Sequence, residues 1–287
     1  MNTPNYFWFF VLSGISLIVF IITIIKHKEK KRLVQTYFFI SGLAYIVDYF
    51  ILIIFHGYDY KPNLIKTFWF DSTLGSIVSQ GLAIPTAASV IAAFHYPFVM
   101  IILTTISFIG IEELFIKFEL YDHHWWRTWI TFLLLPICFY LAKFWYEKLK
   151  NPTRVVRYIT MYLTISVYSN TLQFLLLVVF STHLYSVEWF SDPYRNTLAL
   201  NALIIFLFMF LITFVVMFQF KWYWIAGVLF FKWLLDDFLV KKELLFLAEN
   251  WNLFYFSILH LITIVLFRFI YVKWFTNIPK HYNQIYR

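Results

Sequence analysis

Charge is scarce in this chain. Asp, Glu, Lys and Arg make up only 13% of its 287 residues, whereas a soluble domain carries about a quarter, so a soluble globular fold is excluded. Cysteine is nearly absent. Cys138 stands alone inside an apolar run, so no intramolecular disulfide is possible and no CxxC or Cys/His zinc pattern exists. The start of the chain lacks the basic stretch of a cleavable leader. Its first apolar run, Tyr6 to Ile25, is too long for one and ends in a basic block, so it is expected to persist as a membrane helix. The alternation of a membrane β-barrel is missing too. No soluble domain, Gly/Ser linker or low-complexity tail is visible, and no nucleophile–base set that would mark an enzyme. No cofactor is implied.

Apolar residues take the place of charge. They form 62% of the chain, with a mean hydropathy of +0.73. Phe, Ile, Leu, Tyr and Trp crowd into stretches of about 20 residues, the length that spans a bilayer as a helix. The expected fold is therefore an all-α, polytopic membrane bundle in a lipid bilayer. Nine spans are read at roughly 6–26, 33–55, 72–94, 98–118, 126–146, 158–180, 198–220, 222–241 and 252–272. Basic residues cluster in alternate loops. Lys26-His27-Lys28-Glu29-Lys30-Lys31-Arg32 is one block, and Lys148, Lys150, Arg154 and Arg157 form another, with Lys221, Lys273, Lys280 and Arg287 on the same side. That side reads as cytoplasmic, which puts the N-terminus outside and the C-terminus inside. The net charge of +8 then reflects topology and anionic lipids at the cytoplasmic face, not a nucleic-acid partner.

The chain also reads as written twice, shifted by about 124 residues. Asp71-Ser-Thr-Leu-Gly75 falls on Arg195-Asn-Thr-Leu-Ala199, and Phe50-Ile-Leu-Ile53 on Phe174-Leu-Leu-Leu177. Glu112-Glu113-Leu-Phe-Ile-Lys117-Phe-Glu119 falls on Asp236-Asp237-Phe-Leu-Val-Lys241-Lys-Glu243. The implied organisation is a four-helix repeat over 1–125, a second over 126–250, and a ninth helix with a tail over 251–287. Even-numbered units share one orientation, as in parallel-repeat transporters.

Polar residues inside the spans are the candidates for function, because a carboxylate at mid-bilayer costs about 2.5–3.5 kcal/mol on insertion scales. Glu112, Glu113, Asp236 and Asp237 recur in register and would raise one another's pKa values if they converged. Two readings stand side by side. The acids bind a cation or proton, or they are local ion pairs, since Glu113 and Lys117, Asp237 and Lys241, and Lys232 and Asp236 are all spaced i,i+4. Glu112 has no such partner, because Phe108 occupies the place matching Lys232. Span 2 carries Ser41, Tyr45 and Asp48 on one stripe, and span 6 carries Ser166, Asn170 and Gln173. Span 3 combines small residues and Gln80 with Pro85, which lacks an N–H and should kink or break the helix, freeing carbonyls for an ion or permitting close packing. His260 lies mid-span. His123 and His124, with Glu119 or Asp122, are the weak candidates for a metal; the Trp125-Trp126-Arg127 segment beside them fits an interfacial belt.

Ile46-Val47-Asp48-Tyr49, Asp71-Ser-Thr-Leu-Gly75, Leu82-Ala-Ile-Pro85 and Glu112-Glu113-Leu-Phe with Trp126-Arg-Thr-Trp129 carry a resemblance. The chain resembles an uncharacterised family of multi-pass membrane proteins of spore-forming Firmicutes. The resemblance implies a bacterial cytoplasmic membrane location and no particular activity. The leading expectation is a non-enzymatic transporter or permease for a small solute or cation, using Asp48, Gln80, Pro85, Glu112, Glu113, Lys232, Asp236, Asp237 and His260. The alternative is a structural, sensory or assembly protein whose carboxylates are ion pairs.

Overall fold

The computed structural model describes residues 3–276. Lys280 and Arg287, assigned above to the basic side, lie outside the described residues. Nine helices fill the described chain: α1 Asn5–Lys26, α2 Lys30–Ile54, α3 Phe68–Ala93, α4 Phe98–Lys117, α5 Thr128–Lys148, α6 Arg154–Phe180, α7 Pro193–Met217, α8 Trp222–Lys241 and α9 Leu253–Phe275. Eight of them are long and apolar enough to cross a membrane. The fold is an all-α membrane bundle, as the composition demanded. The exception is α8, whose 20 residues include Lys232, Asp236, Asp237 and Lys241. Connectivity still carries it across. The strands β3 (His183–Tyr185) and β4 (Leu245–Leu247) pair with each other, and each leads into a helix, α7 and α9. Both helices start from the same end of the bundle, so α8 must return the chain to that end.

A second two-stranded ribbon lies at the corresponding turns of the first half. Here β1 (Tyr58–Tyr60) follows α2 and β2 (Tyr121–His123) follows α4, antiparallel, with Tyr58 opposite His123, Asp59 opposite Asp122 and Tyr60 opposite Tyr121. The two ribbons are tied down in the same way. The Tyr60 amide donates to the Ser72 hydroxyl at 3.1 Å, and the Tyr185 amide to the Thr197 hydroxyl at 3.0 Å. Asp71 accepts the amides of Asn63, Leu64 and Ile65, and the Asn196 side chain takes both the N–H and the C=O of Phe190. Asn196, and not Arg195, thus makes the contacts that compare with those of Asp71.

Packing in a membrane cannot draw on expulsion of water between helices, so close approach and hydrogen bonds matter more. Half of the apolar window of α2, α3, α6 and α7 is buried, against 11% in α4. The central contact is α2 on α6. Gly42 sits at this crossing, where a Cβ would come within 3.0 Å of the Leu163 backbone, and Phe39 stacks on Trp145 at 3.9 Å. The first half closes through α5, which packs on α3 and α4. The second closes through α9, which packs on α7 and α8. Helix ends are capped where the sequence allows it: Thr153 accepts from the Val156 amide, Asp192 with Pro193 opens α7, and Asn252 opens α9.

Two helices are not regular. α2 widens into a π-helical run over Tyr49–Ile54, and α3 into another over Ile77–Ala83. Pro85 explains the second. It cannot donate to the Gly81 carbonyl one turn earlier, and that carbonyl instead accepts the hydroxyls of Tyr37 at 2.7 Å and Ser41 at 3.1 Å. The helix is widened but not broken, and the freed carbonyl is satisfied from α2.

Candidate functional site

A cavity of about 370 Å³ lies within the first half, among α1, α2, α3, α4, α5 and the first ribbon. Its walls are mostly apolar: Phe9, Ile40, Phe108, Phe115, Leu135 and Cys138. Leu134, Ile137 and Leu141 of α5 and Val47 of α2 line it while also facing the bilayer, so the cavity borders on lipid between these helices. Polar groups gather at its ribbon end. These are Asp48, Ser79, Gln80, Glu112 and Thr131, with the phenols of Tyr58, Tyr60 and Tyr121. Drug-sized ligands occupy clefts of roughly 300–1,000 Å³ with this composition, apolar walls and a few converging polar groups.

The polar end is built by the two irregular helices and the ribbon. Asp48 is the last residue before the π-helical run of α2, and Ser76 is the last before that of α3. Asp48 accepts the hydroxyl of Ser76 and the phenol of Tyr58, so both runs begin at one buried contact. Such π turns concentrate at functional sites because they re-aim side chains. Alternation along β1 sends Tyr58 and Tyr60 into the cavity and Asp59 away from it. Burial, together with the Asp48 charge, holds the phenols of Tyr58 and Tyr60 well above their ordinary range, and Tyr121 is raised in the same way by burial. All three remain neutral hydrogen-bond donors. Glu112 reaches the cavity from α4, and His123 of β2 contacts it at 2.8 Å.

The predicted residues separate into distinct places. Asp48, Gln80 and Glu112 share the large cavity. Glu113 is outside it and accepts from the Thr128 hydroxyl at 2.7 Å; among the described residues it forms no ion pair with Lys117. Asp237 pairs with Lys241 at 2.6 Å. Lys232 and Asp236 form a buried pair at 2.5 Å in the second half, beside His260 and Gln173, around a space of only about 10 Å³. The acidic pairs therefore occupy separate sites. Pro85 is buried in α3 and does not line the large cavity. Of the two stripes, Tyr45 and Asp48 of α2 border with Asn170 of α6 a smaller space of about 80 Å³, where the Tyr45 hydroxyl lies 2.9 Å from that of Thr171. Ser41 bonds to the Gly81 carbonyl, and Gln173 lines the Lys232–Asp236 site. The paired histidines also part. His123 goes to Glu112, while His124 contacts Asp59 at 2.6 Å.

No family model, curated protein or solved structure matches this chain. Its reading rests on its own residues. The sequence did not single out the phenols of Tyr58, Tyr60 and Tyr121, because loop tyrosines near a membrane ordinarily read as interfacial anchors. Their alternating spacing in Tyr58-Asp59-Tyr60 was the available signal.

Proposed function

We propose that this integral membrane protein binds, and carries between leaflets or across the bilayer, a small amphipathic amine: an apolar body in the cavity with an ammonium group at Glu112. One comparison carries the reading. Glu112 and Asp236 are matching acids of a duplicated unit. In the second half Lys232, one turn before Asp236, places its ammonium on the acid, and almost no space remains. In the first half the matching residue is Phe108, which lines a space of about 370 Å³. The second half supplies a lysine ammonium from its own chain, whereas in the first half Glu112 meets only the His123 imidazole at 2.8 Å and the open space beside it admits a cation from outside. A charge-assisted hydrogen bond to a carboxylate is strong in such a low-dielectric site, and the hydroxyl oxygens of Tyr60 and Tyr121, which lie in electrostatic reach of Glu112, can accept from the same group.

The duplication belongs to this proposal and is supported by the matching ribbons, amide anchors and helix order. On this reading the units are α2–α5 and α6–α9, with α1 outside them, a division supported by the packing of α5 on α3 and α4 and of α9 on α7 and α8. The ribbon end faces outward and the basic loops face the cytoplasm by the charge distribution. The family of spore-forming Firmicutes proteins is the proposed relationship, on the motifs quoted above. No catalytic role is assigned. A purely structural role is favoured by one observation, the pairing of both α8 acids with lysines, and it accounts for the second half. The test is binding of a fluorescent alkylammonium to protein in nanodiscs. Saturable binding lost in Glu112→Gln supports the reading; equal binding by wild type and variant rejects it.

A further inference from the structure

On the outward side of the first ribbon, away from the cavity, three side chains converge. His56 follows α2, Asp59 is the middle residue of β1, and His124 follows β2. One donor atom from each lies within 4.8 Å of the others. Both imidazoles aim Nε2 at the same carboxylate, His56 at 2.8 Å from Oδ1 and His124 at 2.6 Å from Oδ2, with ring centres 4.1 Å apart. We infer that His56, Asp59 and His124 form a binding site for one divalent transition-metal ion, with zinc the best fit.

The scaffold holds these donors before any ion arrives. The Gly57 carbonyl accepts the amides of His124 at 2.9 Å and Trp126 at 3.1 Å, which ties the two ligand-bearing loops together. Gly57 admits no side chain, since a Cβ would lie 2.8 Å from Ile51 and 3.1 Å from the Trp125 ring. The Trp125 indole donates to the Phe55 carbonyl at 2.8 Å. His56 has a φ of 49°, the left-handed turn that ends a helix, and Ser181 ends α6 with a φ of 48°. The turn is shared by both halves, but the imidazole is not. The second half has Ser181 where the first has His56, and it gathers no comparable set among the described residues.

The donor set selects the ion. Tetrahedral zinc, with bonds of about 2.0–2.1 Å, spaces its ligand atoms roughly 3.3 Å apart, so the observed cluster accepts it with movements of about 1 Å or less. Two imidazoles and one carboxylate suit zinc and its neighbours, whereas magnesium and calcium demand more oxygens. A single buried carboxylate with the Arg195 guanidinium in electrostatic reach gives too little negative charge for those hard ions. His124 is 41% exposed at its side chain, which leaves an open side for water or an exchangeable ligand. A metal here would clasp β1 to β2 from behind and so fix Tyr58 and Tyr60 over the cavity.

The test uses the full-length chain in nanodiscs, stripped with chelator and titrated with Zn²⁺ by calorimetry, with Co²⁺ as a spectroscopic probe. The expected result is one ion per chain, tetrahedral visible bands with Co²⁺, and at least a roughly 100-fold loss of affinity in His56→Ala and in His124→Ala. His123→Ala keeps full affinity, and excess Mg²⁺ or Ca²⁺ does not compete. Should His56→Ala fail to fold, the exposed His124→Ala and the Co²⁺ spectrum decide. Failure of the wild type to bind one ion, undiminished binding in His124→Ala, or an equal loss in His123→Ala overturns the inference. None of these readouts depends on amine binding.

Discussion

At the level of single residues, position 108 and position 232 decide the difference between the halves. Phe108→Lys places an ammonium one turn before Glu112, as Lys232 stands before Asp236. The variant is expected to fold and to fill its own cavity, so that alkylammonium affinity drops at least tenfold with little change in melting temperature. Lys232→Ala strands Asp236, which is 2% exposed. Breaking a buried pair from one side costs about 3–5 kcal/mol, so thermal unfolding in detergent should show a large loss of stability. Lys232→Ala with Asp236→Leu should recover most of it. The sequence made this contrast legible, since Glu112 stood without a cation and Phe108 was already the mismatch. It did not reveal that His123 would reach Glu112 from a β-strand, because that contact depends on β2 pairing with a strand far away in the chain. His183 gives a residue-scale pH effect. It lies in β3, outside the helices, and burial above all, with the Lys232 charge adding to it, pushes its imidazole down to about 4. The folded state therefore disfavours the protonated form. The stability this confers is complete above about pH 6.5 and declines by ~1.4 kcal/mol per unit as the pH falls toward 4. A melting temperature that falls over that window in the wild type, and falls less in His183→Gln, is the expected outcome.

At the level of elements, the irregularities of α2 and α3 carry the site. Pro85 in Leu82-Ala-Ile-Pro85 announced a distorted third helix, and the distortion is present as a π-helical run. The sequence suggested a kink or a break, with carbonyls freed for an ion or with close packing of the small residues. The outcome differs because Tyr37 and Ser41 lie on the facing side of α2 and take the Gly81 carbonyl. Removing both hydroxyls, in Tyr37→Phe with Ser41→Ala, leaves a buried acceptor with no water to replace them and is expected to cost about 1–3 kcal/mol. Either single change should cost clearly less; equal losses in thermal melts would show that the two hydroxyls do not share the carbonyl. The π-helical run of α2 had no signal in the sequence. No proline or glycine marks Tyr49–Ile54, and the run begins at the tertiary contact of Asp48 with Ser76 and Tyr58. The pairing of the two ribbons was equally hidden, since three-residue strands in distant loops carry no signal of their partners.

At the level of the whole molecule, the bundle was the most legible feature, because apolar runs of about 20 residues admit few other structures. Nine helical segments were read near their observed positions, and of the polar stripes Tyr45, Asp48 and Asn170 share one small inner space. The fate of the four acids was not legible, since sequence register cannot say whether matching residues meet or lie apart. They lie apart: Glu112 in an open cavity and Asp236 in a filled site, with Glu113 on Thr128 and Asp237 on Lys241. The contrast between the first two is the basis of the functional account. The most direct measurement is equilibrium binding of a fluorescent alkylammonium to nanodisc-embedded protein, compared among wild type, Glu112→Gln and Phe108→Lys. The account predicts one saturable site in the wild type and its loss in both variants, each of which keeps its helical content. Undiminished binding in Phe108→Lys, or no saturable site in the wild type, would contradict it.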